Sequence, residues 1–330
     1  MTRAWVHHVL SLEQLSPSEA VDVAVLADTQ GFVGIGLADR FQPWLPSQGN
    51  ASFAWTVLGA IGQRTTGALS LTTAPGYRMH PAGIAQAAAT LAALYPGRHR
   101  LTLATGDAID EHVTAAYWPE VHERASRMFE AAELIRKLFH SSSKNADARH
   151  DGPHFRMESA RLWTMPETLP PVQVWAAGPV TARRAGRSLD GIVVPAGPRE
   201  RMVALVGALR DGADEAGRPE PAKTAHIQLS WAPTDDEAMA QALRDWPMAG
   251  LRFPRGDIRS PFDVAQLARS VTADDIRTRI PVASDPDIHR AHLQSFLDLG
   301  FDALHVHNVG RNQAEWIEVA GRDILPKLVR

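Results

Sequence analysis

The chain has 330 residues, of which 45% are hydrophobic and 22% charged, with a formal net charge of −3, a balance typical of a globular protein without a nucleic-acid or membrane partner. The absence of cysteine excludes disulfides, thiolate nucleophiles and cysteine-ligated metals, so redox chemistry would need an organic cofactor or a His/carboxylate metal site. At the start of the chain, Met1–Glu13 shows no targeting pattern, and no apolar run reaches the roughly 20 residues of a membrane span. We therefore expect a cytoplasmic protein.

The predicted elements alternate in type along the whole chain. Apolar runs of β type are followed by amphipathic helical stretches, which predicts parallel strands joined by crossover helices. The first helix has a clear start, because Ser16 can cap it, Pro17 suits its first turn and Glu19 completes a capping box; Gly31 marks its end. The same helix, glycine, strand unit recurs with Gly300 before the last strand. Eight strands are predicted: Trp5–Val9, Val33–Ala38, Leu69–Thr73, His99–Ala104, Val172–Ala176, Gly191–Val194, Thr224–Trp231 and Ala303–Val306.

Two stretches interrupt the alternation and are interpreted as insertions. Ser141–Pro171 precedes the fifth strand, and Trp246–Asp285 precedes the last helix and strand. No linker divides the chain, so we predict one domain over residues 1–330. Eight parallel strands close with a filled interior, which favours a (β/α)8 TIM barrel of the α/β class over the alternative, an open doubly wound sheet.

Polar residues follow most of the predicted strands, at the end of the barrel where the active sites of such barrels lie. In Asp39–Pro46 (DRFQPWLP), Trp44 either stacks against a ring or roofs the barrel as packing. After the fourth strand, Asp107 and Asp110 share a face if a helix begins there; one is a candidate proton donor, with helix capping by Asp107 as the alternative. The other residues at these ends are Glu13, Arg40, Thr73–Arg78, Glu111, Gly178, Gly197, His307 and Asn308.

Two further patterns bear on ligands. Trp175–Arg184 (WAAGPVTARR) passes from a strand through small residues into a helix, a turn that can bind a phosphate or can be purely structural. No dinucleotide or Walker fingerprint is present. Among the 14 histidines, His8 could approach His305 or His307 across the barrel, but we expect only one of each pair, His7/His8 and His305/His307, to face inward. A metal centre is therefore disfavoured against buried, hydrogen-bonded histidines.

Several motifs carry a resemblance to a known family: Asp39–Trp44, Thr73–Ala82 (TAPGYRMHPA), Leu94–Arg98 (LYPGR), Ala104–Glu111 (ATGDAIDE) and Val282–Pro286 (VASDP). Along nearly its whole length the chain resembles the F₄₂₀-dependent glucose-6-phosphate dehydrogenases and their relatives in the luciferase-like superfamily. The resemblance implies a homodimeric TIM barrel that holds a flavin-type ring at its mouth and transfers hydride to or from a small-molecule substrate.

The resemblance also implies roles for individual residues. Asp39 and Thr73 or Ala74 would contact the ring or its ribityl chain, Glu13 matches an acidic residue near the active centre, and Trp44 would flank the substrate. Leu71 and Thr72 would form a non-proline cis peptide behind the ring. The cofactor phosphate would lie on Ala176, Ala177 and Gly178, with Pro179 beside them, and Asp107 and Asp110 replace a glutamate and an asparagine near the ring.

Departures from the family pattern bear on the substrate. Arg40 stands where the dehydrogenases have a catalytic histidine, and it stays protonated and cannot act as a base near neutral pH. Three cations hold the sugar phosphate in the family. Two of them have counterparts in this chain, Arg255 and Arg279, and the third position is Pro198. Glucose 6-phosphate is therefore a poor candidate substrate.

The sequence leaves the cofactor open between F₄₂₀ and FMN. A branch of the family with an ordinary flavin is similar through Thr73–Ala82 and His307–Gln313 (HNVGRNQ), and a fixed cation such as Arg40 suits the anionic reduced flavin. A carboxylic acid beside the ring suits a deazaflavin. The favoured hypothesis is a hydride-transfer enzyme; the alternatives are an FMN-dependent monooxygenase, a flavin-binding barrel without turnover and a His/Asp metal hydrolase.

Overall fold

The computed structural model describes residues 4–330. Met1–Arg3, the first part of the segment Met1–Glu13 without a targeting pattern, lie outside the described residues. The strands are β1 (Trp5–Val9), β2 (Gly34–Ala38), β3 (Ala68–Thr73), β4 (His99–Leu103), β5 (Ala148–Asp151), β6 (Arg156–Ala160), β7 (Val172–Trp175), β8 (Gly191–Pro195), β9 (Ala222–Trp231), β10 (Val282–Ala283) and β11 (Ala303–Asn308). The helices are α1 (Pro17–Thr29), α2 (Ala54–Arg64), α3 (Pro81–Leu94), α4 (Ala108–Glu111), α5 (Val121–Ser143), α6 (Pro179–Ser188), α7 (Arg199–Glu215), α8 (Asp235–Asp245), α9 (Pro261–Ala268), α10 (Ala273–Arg277), α11 (Pro286–Asp298) and α12 (Gln313–Val319).

Eight parallel strands form a closed barrel, which confirms the predicted fold. They follow one another in the order β1, β2, β3, β4, β7, β8, β9, β11, and β11 pairs with β1 to close the ring. Each predicted strand matches an observed one to within two residues at either end. The barrel core contains side chains such as Leu71, Leu101 and Val174, which lie between the strands and the outer helices and are fully buried.

Both predicted insertions carry structure of their own. In the first, β5 and β6 form an antiparallel hairpin that packs against α5. The second contains α9, α10 and β10, and its apolar side chains form a smaller cluster with Trp44 and Ile109 at the barrel mouth. No helix of residues 4–330 is both long enough and apolar enough to cross a membrane.

The start of the first helix is observed where the sequence predicts it. The Ser16 hydroxyl caps α1 by accepting from the Glu19 backbone N–H, and the Glu19 carboxylate accepts from the Ser16 backbone N–H, which completes the capping box. Gly31 and Gly300 both adopt positive φ, at 99° and 85°, a conformation that costs glycine little. The chain turns sharply from helix to strand at both places.

One feature implied by the resemblance is absent. No cis peptide bond occurs among residues 4–330, so the expectation of a cis peptide at Leu71–Thr72 is wrong for this structure. Both residues belong to an unbroken parallel ladder, in which Leu71 pairs with Leu37 and Leu101. A regular trans backbone satisfies this ladder.

Candidate active site

A cavity of about 300 Å³ opens at the carboxyl end of the barrel, in the size range of small-molecule sites. Its wall brings together most of the residues that the sequence predicts for a site. These are Glu13, Asp39, Arg40, Trp44, Thr72, Thr73, Ala74, Asp107, Asp110 and Arg255. They converge because parallel barrel strands all end at the same rim.

The first contact in the wall joins the ends of two neighbouring strands. Asp39 directly follows β2, and its backbone N–H donates to the carbonyl of Thr72 on β3 at 2.8 Å. The hydroxyl of Thr73 donates to Asp39 Oδ2, also at 2.8 Å. This strand pairing therefore fixes the direction of the Asp39 carboxylate.

Arg40 is surrounded by carboxylates. Its guanidinium lies 2.8 Å from Asp110, 3.3 Å from Glu13 and 3.5 Å from Asp107. Because α4 begins at Ala108, Asp107 and Asp110 lie on one side of its first turn, and Asp107 caps no helix with its side chain. Burial raises the pKa of Glu13 and of Asp110. For Arg40 itself, burial is the largest single effect and opposes the charged form, but Asp110, Asp107 and Glu13 together outweigh it and the pKa is raised, so Arg40 stays charged.

Trp44 lies between two arginines. The guanidinium carbon of Arg40 is 4.0 Å from the centroid of its ring and that of Arg255 is 4.9 Å away, both within cation–π range. Trp44 is buried in the apolar cluster, as the packing alternative expects, and it also lines the cavity. Its stacking against a ring stays a prediction. Arg255 makes no ion pair with a carboxylate of residues 4–330, and its guanidinium donates only to the carbonyl of Met248.

Hydrogen bonds and an ion pair hold the loop that contains Arg255 in place on the far side of the cavity. The carbonyl of Gly256 accepts from the backbone N–H of Ala108 at 2.8 Å, and the Asp257 carboxylate accepts from Trp118 Nε1 at 2.9 Å. Arg124 pairs with the same carboxylate at 3.3 Å. The second insertion thus places a cation over the barrel mouth.

The guanidinium of Arg78 lies behind the cavity wall. Arg78 donates to both carboxylate oxygens of Glu111, at 3.2 and 3.3 Å, and lies 3.3 Å from Asp39. Both carboxylates line the cavity. Burial raises the pKa of Glu111 to about 7.

Histidines form the floor of the cavity. His305 and His307 both line it, because residues two apart on a strand share a face, so the expectation that only one of this pair faces inward is wrong. The ring of His7 stacks on His305 at 4.8 Å, and its Nδ1 lies 3.2 Å from Ser70 Oγ. His8 packs edge-on against Phe32, and it still contributes to the lowered pKa of His307, so the expected approach of His8 to one histidine of this pair is found at His307. His226 on β9 completes the floor. Burial lowers the pKa of His7 to about 3 and of His226 to about 4, and it also lowers the pKa of His305 and His307.

Residues 4–330 contain no group of three or more His, Cys, Asp or Glu side chains that could hold a metal ion.

Some predicted residues lie outside the cavity wall. Leu71 is buried in the barrel core, and Ala176, Ala177, Gly178 and Pro179 form the turn into α6 without reaching the cavity. Arg279 is exposed after α10 and does not line the cavity. Their roles stay predictions.

Comparison with known proteins decides the family. The model of the luciferase-like monooxygenase family matches residues 3–303. The chain belongs to this family. Among its relatives, an F₄₂₀-dependent glucose-6-phosphate dehydrogenase of Segniliparus rotundus is 36% identical over 328 residues, which are 96% of each chain. The corresponding enzyme of Microbacterium testaceum is 33% identical over 325 residues, 96% of this chain and 95% of the relative.

Solved structures agree with this assignment. An F₄₂₀-dependent secondary alcohol dehydrogenase, solved in complex with an F₄₂₀–acetone adduct, superposes with a TM-score of 0.91 at 26% identity over the whole of both chains. The coenzyme F₄₂₀-dependent tetrahydromethanopterin reductase of Methanopyrus kandleri gives a TM-score of 0.78 at 19% identity, also over the whole of both chains, which shows the shared fold. The chain is thus a luciferase-like protein with an F₄₂₀-dependent dehydrogenase among its structural neighbours.

Sequence reasoning missed several residues of this luciferase-like site. Arg78 and Glu111 lie inside motifs that the sequence singles out, but nothing local shows that they pair. The inward direction of His226 and His305 could have been found from strand alternation. Trp175 and Trp246, which pack edge-on against His226 and His307, have no comparable local signal.

Proposed function

We propose that this luciferase-like protein is an F₄₂₀-dependent oxidoreductase that interconverts a small alcohol and its carbonyl compound. The observation that carries the proposal is the charge of the cavity wall. Five carboxylates line the cavity, and three guanidiniums, of Arg40, Arg255 and Arg78 behind the wall, face them. Fully ionised, the wall would carry two excess negative charges in a buried place, which favours groups that hold protons.

This charge balance bears on the choice between the two cofactors. A reduced flavin is anionic near neutral pH and is stabilised by a nearby cation. Arg40 offers little net positive charge, because three carboxylates surround it within 3.5 Å. A deazaflavin gains a proton on reduction, so an acidic wall that holds protons suits it better.

The cavity has features that fit a flat ring. Small residues line it on or just after three adjacent strands, β2, β3 and β4: Gly36, Ala38, Ala74, Ala104 and Gly106. When bound, F₄₂₀ supplies a carbon that accepts or donates hydride. Asp39, Thr73 and Asp107 would hold the ring. The turn Ala176–Pro179 would hold the phosphate at the start of α6, where a Cβ added at Gly178 would meet no atom within 4 Å.

Each charged residue of the wall then has a separate role. Glu13 accepts the proton of the substrate hydroxyl, because it lines the cavity, is buried and accepts a hydrogen bond from Ser11 at 2.8 Å. Arg40 holds Glu13, Asp107 and Asp110 in place. Arg255 has no carboxylate partner within residues 4–330 and is free to bind a carbonyl oxygen or an anionic group of the substrate.

Glucose 6-phosphate is a poor fit for the same cavity. A base is missing at Arg40, and only one of the expected phosphate-binding cations, Arg255, lines the wall. Pro198 precedes α7 and supplies no charge. A substrate that is smaller or less highly charged than a sugar phosphate matches the 300 Å³ cavity better.

The test is to titrate the purified protein separately with F₄₂₀ and FMN, following absorbance and fluorescence. We then expect secondary alcohols to reduce the bound F₄₂₀. Tighter binding of FMN, with oxygen consumed on reduction, would point instead to a monooxygenase. Binding without turnover by any alcohol or carbonyl compound would point to a binding protein.

A further inference from the structure

Glu111 is a buried carboxylate in the cavity wall to which the proposed function assigns no step. It ends α4, one helical turn after Asp107, and its side chain is 2% exposed. Gly106 makes room for it, since a Cβ at that position would lie 3.0 Å from Glu111 Cγ. Because Gly106 has no side chain, the Glu111 carboxylate can lie beside the cavity.

The groups that face Glu111 are short of positive charge. Arg78 is its direct partner, but the same guanidinium also serves Asp39. Asp110, on the same helix, adds a further negative charge. Tyr77 adds none near neutral pH, because burial raises its pKa to about 12. Two buried carboxylates that share one cation cannot both stay ionised without cost, and the pKa of Glu111, raised by burial to about 7, agrees with this.

Asp107, one of the two candidate proton donors that the sequence offers near the ring, differs in both respects. Its side chain is 34% exposed, and it pairs with Arg40 at 3.5 Å. Asp107 is therefore open to water and held by a fixed cation. These surroundings suit a residue that anchors the ring.

We propose that Glu111, rather than Asp107, is the catalytic residue that holds the proton exchanged with the bound cofactor. This inference rests on the proposed function. In the oxidation of an alcohol, the carbon–hydrogen bond breaks and its electron pair leaves with the hydrogen as hydride. The bound cofactor would take up this hydride. Glu13 accepts the hydroxyl proton, Glu111 would give its proton to the reduced ring, and the two carboxyl groups then re-equilibrate with water.

The first experiment needs no cofactor. Infrared spectroscopy of the unliganded protein between pH 5 and 9 detects protonated carboxyl groups by their C=O stretch. We expect one such band to titrate near pH 7 and to be absent in Glu111→Gln. Glu130→Gln is the matched control: Glu130 is a buried glutamate on α5 whose pKa is lowered, because three hydrogen bonds outweigh its burial, so this variant should keep the band. A band that persists in Glu111→Gln, or one that is lost in Glu130→Gln, would overturn the assignment.

A second variant covers the case in which Glu111→Gln does not fold. Arg78→Lys keeps the charge but removes the two-pronged contact with Glu111, so the midpoint of the band should move to higher pH. An unchanged midpoint would contradict the proposed pairing.

The functional arm measures the pH profile of hydride transfer to F₄₂₀ from an alcohol that the wild-type protein oxidises. We expect a limb near pH 7 in the wild type, and in Glu111→Gln the loss of this limb together with a rate lowered about 100-fold. A purely structural role would lower the rate without removing the limb, and this result would refute the catalytic role. If no alcohol reduces F₄₂₀, the proposed function fails, while the infrared titration still decides the protonation of Glu111.

Discussion

At the scale of single residues, Arg40 is the main counter-ion of the site. Replacing Arg40 with Ala would leave Glu13, Asp107 and Asp110 without their shared cation, and breaking such buried pairs costs about 3–5 kcal/mol. We expect this loss in the free energy of unfolding at pH 8, measured by urea denaturation. At pH 5 the loss should be smaller, because burial raises the pKa of Glu13 and Asp110 and they are then closer to neutral.

An exposed arginine gives the matched control for this prediction. Arg322 pairs with Asp323 at 2.8 Å, but its side chain is 69% exposed. Arg322→Ala should therefore lower the free energy of unfolding far less than Arg40→Ala does, because solvent screens an exposed pair. Equal losses in the two variants would contradict the view that Arg40 neutralises the cavity wall.

At the scale of elements, the β5–β6 hairpin depends on one carboxylate of α5. Glu130 accepts hydrogen bonds from the backbone N–H groups of Phe155, at 2.8 Å, and His154, at 3.1 Å. Glu130→Ala leaves these donors unsatisfied, at about 1–3 kcal/mol for each buried group. We expect faster hydrogen exchange over residues 148–160 with unchanged protection of the barrel strands.

The turn of the hairpin offers a second way to disturb the same contact. A Cβ at Gly152 would come 2.1 Å from Glu130 Oε1, so Gly152→Ala should also loosen the hairpin. If fast exchange instead spread through the whole barrel, the hairpin would be part of the cooperative core rather than an attached element.

At the scale of the whole molecule, buried histidines make the barrel sensitive to acid. Burial lowers the pKa of eight histidines of residues 4–330 below 6.5: His7, His8, His99, His226, His289, His292, His305 and His307. Because the unfolded chain binds these protons more readily, stability is lost as the pH falls below 6.5. At pH 5 each fully buried histidine costs roughly 2 kcal/mol. Glu13, Asp110 and Glu111 act in the opposite direction but are fewer.

The measurement is a series of urea midpoints at pH 7.5, 6 and 5. We expect the midpoint to fall steeply below pH 6.5, and the slope to become shallower by about one proton in His226→Gln. Stability that stayed flat from pH 7.5 to 5 would show that the histidines are not held neutral in the folded state.

The fold and many of the site positions could be predicted because they depend on local pattern. The alternation of apolar strands and amphipathic helices predicted the eight barrel strands, and Ser16 with Glu19 predicted the start of α1. Since all strands of a parallel barrel end at one rim, the residues after them were expected to converge, and Asp39, Asp107 and Trp44 do so. The single-domain organisation, the homodimer and the cytoplasmic location stay predictions.

That the residues after the strands gather at the barrel mouth follows from the sequence, because chain direction and strand period are local properties. How their charges are shared depends on the packing of the folded chain. Arg40 meets three carboxylates and Arg78 meets two, while Arg255 meets none within residues 4–330. These pairings join loops as much as 70 residues apart, and the register between neighbouring strands and the packing of the insertions set the distances between them.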